Sequence, residues 1–189
     1  MGSDVRVNKT DTESRFKAKL LSPAKPEKGS DWVFVVLPKT ASEKLPRRGR
    51  TTVDGTINGF PFQATLEPDG QLSHWLKVEK DLCESAGVKA GDLVTLEITP
   101  TKPEPEPEVP KDLLQALAAC PEAKEVWDGT TTIARLDWVH WIESAKQLKT
   151  RENRIDSACS MLASGKRRVC CFDQSGYYSK SLRAPKATE

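Results

Sequence analysis

Histidine is scarce in this chain: His74 and His140 are the only two in 189 residues. No HExxH pair, nucleophile elbow, phosphate-binding loop, dinucleotide fingerprint or EF-hand occurs. The "DQSGYYS" stretch has a serine before a glycine but lacks the elbow's preceding glycine. The five cysteines are odd in number and include no C-x₂-C pair. That argues against a complete disulfide framework, and adjacent cysteines converge poorly on a tetrahedral metal. Long apolar runs are missing too, so nothing reaches the roughly 18–20 residues that span a bilayer. No secretory signal is visible, and "MGSDVR" lacks the hydroxyl residue of a myristoylation pattern. The reading is a cytoplasmic protein with a flexible leader over 1–13. An excess of one charge is also missing, with 29 basic against 27 acidic residues for a net +2. Overall charge therefore names no partner.

Proline is plentiful and clustered. "TPTKPEPEPEVP" (99–110) alternates Pro with Glu, which predicts a stiff, extended spacer with no way to bury itself. Before it, "RFKAKLL", "WVFVVLP", "TTVDGTI", "FPFQATLEP", "SHWLKVE" and "LVTLEIT" are short, β-rich and partly alternating. Asn58-Gly59 predicts a type I′ hairpin turn. "KDLCESAG" predicts a short helix capped by Gly87. Six strands and one small helix over 14–98 predict a compact β-barrel or sandwich.

After the spacer the period changes to that of helices. Leu113, Leu117 and Cys120 share a face, with Leu114 beside them. "PEAKEVWDG" opens with Pro at a first helical turn. Ala134, Trp138, Trp141, Ile142 and Ala145 form one stripe, and Ile155, Ala158, Cys159 and Leu162 another, which stops at Gly165. These amphipathic helices over 111–175 predict a small bundle, followed by a tail over 176–189.

The stretch from "GRTTVDGTINGFPFQATL" to "AGVKAGDLVTLEI" resembles a small bacterial β-barrel domain of unknown function. That domain often precedes a helical YdeI/OmpD-associated domain, which "VPKDLLQALAACPEAKEVWDG", "WVHWIESAKQLKTRENRI" and "MLASGKRRVCCF" resemble in turn. The resemblance covers roughly 14–175. It implies a two-domain α+β protein, its barrel distantly like the AbrB-type double-split barrels. It also implies a stress or envelope-related role, with no catalytic residue to carry over. "RRVCCF" departs from the Arg-Arg-Pro-Cys-Cys-Phe of similar sequences, and valine restores an N–H there.

Three groups of residues carry candidate chemistry. From Lys146 onward ten Lys/Arg face four Asp/Glu. Lys146, Lys149, Arg151, Arg154, Lys166, Arg167 and Arg168, with Tyr177 and Tyr178 downstream, are candidate anion or nucleic-acid contacts. The opposing reading is a solvated helix face, neutralised by Glu152 and Asp156. Cys170 and Cys171, beside three cations, are candidate reactive thiols. The opposing reading is a tail packing Cys170 or Phe172 on the bundle. Trp75, Trp138 and Trp141 are candidate walls of a ligand cleft, although tryptophans also build cores. Cys83, Cys120 and Cys159 read as small buried hydrophobes. His140, three residues after Asp137, is expected on the polar side of its helix, and His74 beside Trp75 in a strand. No metal or cofactor is expected.

Three functions fit. The first is a non-enzymatic binding or stress-response protein, its ligand a protein or small molecule. The second is a nucleic-acid-associated regulator using the basic end. The third is a thiol/redox protein using Cys170-Cys171.

Overall fold

The computed structural model describes residues 12–25, 28–29, 31–169 and 183–188. The chain divides into two compact units, one ending at Thr101 and regaining the chain at Ala184, the other running from Lys102 to Arg183.

The first unit is a nearly closed antiparallel barrel. Its strands are β1 (Ser14–Lys19), β2 (Val33–Val36), β3 (Thr51–Ile57), β4 (Phe60–Pro68), β5 (His74–Val78) and β6 (Leu93–Pro100), in the order β1-β6-β3-β4-β5-β2. Leu21, just past β1, exchanges two 2.9 Å backbone hydrogen bonds with Phe34 of β2, which brings the sheet's two ends together. Alternation places Val94, Leu96 and Ile98 of β6 inside, with Val33 and Val35 of β2, Val53 and Ile57 of β3, and Leu76 and Val78 of β5. The Asn58-Gly59 turn forms as expected, both residues at positive φ and Ile57 opposite Phe60. Asn58 then ties the turn to β6: its N–H donates to Thr95 O and its Oδ1 accepts from Thr95 N–H.

Gly55 of β3 lies where the strands crowd. A Cβ there would run into the carbonyl oxygen of Glu97 and meet the Phe62 ring at 3.2 Å. Glycine is used because of that close backbone approach, not for its φ. The α2 helix (Lys80–Ala86) packs Leu82, Cys83 and Ala86 on the core and ends at left-handed Gly87. A further helical turn, α1 (Lys39–Ser42), was not expected from sequence. Four residues are too few to show a period.

The second unit holds α3 (Lys111–Ala119), α4 (Pro121–Asp128), α5 (Thr132–Glu143) and α6 (Leu148–Ala163) around one core. The expected faces of α3 and α6 point inward, while Leu114 is exposed. The expectation for α5 needs correction. Leu136, Val139 and His140 are buried along with Ala134, Trp138 and Ile142, so burial extends around the helix. The reason is its surroundings: α6 packs on it, Glu106 of the spacer bonds its first turn, and the Arg167 carbonyl accepts from Trp138 Nε1–H at 3.2 Å. His140 therefore lies in the interior, 1% exposed, and not on a polar side.

The spacer is not the free strut that its composition predicts. Glu106 accepts hydrogen bonds from Thr132 Oγ1 and from Arg135, the latter at 2.8 Å, and Val109 packs on the helical core. Alternating Pro and Glu keeps the backbone extended. Whether its carboxylates are solvated or docked depends on which cations the fold lays alongside.

Candidate functional site

In the barrel unit, α1 and the "LPRRGR" loop lead from β2 into β3. His74, at the start of β5, holds this excursion at two points. Its Nε2 lies 2.9 Å from Gly49 O and its Nδ1 lies 2.6 Å from Ser42 Oγ. A carbonyl can only accept, so Nε2 carries the proton and Nδ1 accepts from the Ser42 hydroxyl. Ser73 adds a third tie, donating from Oγ to Leu37 O at 2.8 Å. His74 and Ser42 are buried. Burial is the main influence on the imidazole and pulls its pKa below the usual 6.5. Its Gly49 hydrogen bond and the Asp69 charge oppose that pull, and Arg47 reinforces it. A hydroxyl donating to an imidazole is the start of a nucleophile–base pair. Here a backbone carbonyl orients the ring, and both groups are closed in by their own segment.

Three aromatics gather on the outer face of β2 and β5. Phe34, 1% exposed, lies beneath half-buried Trp32 and Trp75. The two indoles stack at 6.4 Å, Trp75 meets Phe34 edge-on, and the Lys77 ammonium sits 5.0 Å from the Trp32 ring. Trp75 is thus part of a small satellite core. Trp138 is fully buried in the helical core, and Trp141 is half-buried with the Arg154 guanidinium 5.5 Å from its ring.

The basic residues of the helical unit separate into two kinds. Arg151 makes a two-point pair with Asp112, Nε to Oδ2 at 2.6 Å and Nη2 to Oδ1 at 3.0 Å. That hydrogen-bonded cation holds the Asp112 carboxyl below its usual range. Arg154 donates from Nη1 to Trp141 O at 2.6 Å and to Ser144 Oγ at 2.9 Å, satisfying the end of α5. Both are engaged by the fold. Lys146, Lys149, Lys166, Arg167 and Arg168 are exposed, but α6 separates them. Its 16 residues put about 24 Å between Lys146 and Lys149 at its start and the three cations after its end.

The thiols follow their surroundings. Cys83, Cys120 and Cys159 are free and half-buried, where full burial was expected. Burial pushes the Cys83 and Cys159 thiols upward, away from nucleophilic thiolates. Cys170, Cys171, Phe172, Tyr177 and Tyr178 lie outside the described residues. Val169, at the departure in "RRVCCF", is buried in the helical core. Among the described residues, no group of three or more His, Cys, Asp or Glu is placed to hold a metal ion. No helix there is long and apolar enough to cross a membrane.

Sequence reasoning missed Ser42, Gly49 and Glu106. The cation-rich "RRGR" could have drawn attention to its loop, but nothing in the sequence links Ser42 to His74, 32 residues away.

These features define a two-unit α+β protein, a small antiparallel barrel followed by a four-helix unit, with the buried Ser42, Ser73 and His74 holding the 38–50 excursion on the barrel. Residues 16–98 match the family described as a domain of unknown function (DUF1905), and residues 106–165 match "Bacteriocin-protection, YdeI or OmpD-Associated". The chain therefore carries that domain of unknown function ahead of a YdeI/OmpD-associated helical domain. No curated protein matches it.

Proposed function

We propose that this chain is a non-enzymatic binding protein of bacterial stress protection, acting against bacteriocin-like peptides or envelope damage. The observation that carries the reading is the match of the helical unit to a family described by bacteriocin protection. Geometry supports binding over catalysis. The hydroxyl–imidazole pair of Ser42 and His74 is buried and spent on tethering the 38–50 excursion. Arg151 and Arg154 are likewise spent on helix ends and pairs. What the units offer a ligand is surface.

The test is survival. A bacteriocin-sensitive strain expressing the chain should tolerate higher doses of the peptide than one expressing residues 12–101 alone. Equal sensitivity of the two strains at matched expression would remove the reading.

A nucleic-acid role rests on the exposed Lys166-Arg167-Arg168 triplet after α6. It calls for binding that weakens steeply with salt and is lost in the Lys166→Glu/Arg168→Glu double variant. Absence of binding at low salt excludes it.

A further inference from the structure

The barrel's strand sequence ends with an addition from far along the chain. Past Leu21 the backbone continues through Ser22, Pro23 and Ala24, and residues 186–188 pair with it antiparallel. Ala24 N–H donates to Lys186 O at 2.7 Å, and Thr188 N–H donates to Ser22 O at 2.9 Å. Thr188 Oγ1 adds a bond to Ser22 O at 3.2 Å. Pro23 faces Ala187 between these bonds, at the one kind of position where a strand's lack of N–H costs nothing.

We infer that the Ser22–Ala24 edge is a strand-addition site for extended peptides, kept filled by the chain's own C-terminal strand. The contacts that hold the strand are almost wholly main-chain. Lys186, Ala187 and Thr188 are all exposed, Ala184 and Pro185 are half-buried, and the buried partner is Pro23 on the barrel side. Backbone pairing of this kind gives affinity with little sequence selectivity. A peptide with an N–H and C=O in the same places, and a small residue against Pro23, makes the same bonds. Two backbone bonds hold a free peptide only weakly, so the resident strand stays because its tether keeps it at high effective concentration. An uncovered edge is also a site for unwanted pairing, which the resident strand prevents. The inference stands on the barrel unit and is independent of the family of the helical unit.

The experiment uses the full chain and a fluorescein-labelled peptide of the sequence RAPKAT. Thr188→Pro deletes the donor to Ser22 at the chain's periphery and frees the edge. The variant should bind the peptide about tenfold more tightly than the unmodified chain, the tether no longer competing. A peptide N-methylated at its threonine should fail to bind. Equal binding to both proteins, no binding into the millimolar range, or equal binding of the N-methyl peptide overturns the inference. So does self-association of the variant without peptide binding, which makes the edge a contact between copies. Hydrogen exchange on the unmodified chain gives a second reading without a variant. Ala24 and Thr188 N–H should exchange far faster than the Val35 N–H of the barrel. Matching protection of the three means that the strand is a permanent part of the barrel, and sinks the proposal.

Discussion

Gly55 sets how closely β3 and β6 approach, and His74 ties the 38–50 excursion to β5. Gly55→Ala drives a methyl into the Glu97 carbonyl and against Phe62. Neither strand can retreat without breaking the β3–β6 ladder. The variant should lose about 1–3 kcal/mol in denaturant titration, the usual cost of overpacking; unchanged stability would mean that the strands part freely. His74 gives a pH signature. Its folded pKa lies below the ordinary 6.5, with burial the first cause. As pH falls through 6.5 the unfolded chain takes up a proton that the folded barrel resists. The barrel's stability is therefore full above that value and declines below it, until the folded imidazole also protonates. His74→Gln removes this group from the titration. Barrel unfolding followed between neutral and mildly acid pH should slope less in the variant, and identical slopes refute the assignment. Neither role is written in local pattern. "VDGTI" shows a glycine in a strand, but only the neighbouring strand's backbone shows why.

Among the elements, the helix ends and the spacer depend on a few arginines. Arg135 donates to Trp127 O, Asp128 O and Thr130 O around the end of α4 and pairs with Glu106. Arg135→Ala should destabilise the helical unit by about 1–3 kcal/mol, because it strips several carbonyls at once. Glu106→Ala should cost at most about 1 kcal/mol, since its half-exposed pair is weakened by solvent. Circular dichroism melts of the two variants test the order, and a larger loss for Glu106→Ala would reverse it. Helix positions were readable because an amphipathic face has a period, and α3 and α6 bury the faces their sequences mark. The stripe of α5 was incomplete because spacer and post-α6 segments cover its other sides. Such coverage by distant chain leaves no periodic trace.

For the whole molecule, the two units have separate cores, and each should melt as its own cooperative step. In calorimetry, Gly55→Ala should move one transition and Arg135→Ala the other. One transition shifted by both variants would show that the units unfold together. The chain's return to the barrel at residues 184–188 adds a feature that composition hides, since "RAPKATE" reads as an ordinary polar tail.

The sequence by itself determined the two-part α+β architecture, the hairpin turn at Asn58-Gly59, the Gly87 cap and most of both cores. These follow from residue period and backbone preference, which act over a few neighbouring residues. Only the tertiary structure decided that Ser42 meets His74, that Arg151 and Arg154 are spent on internal partners, that Glu106 is docked, and that the chain's end pairs with residues 22–24. Each is a contact between residues distant in the chain or a choice among competing partners. Such contacts are selected by the packing of the whole unit, and local sequence carries no term for them.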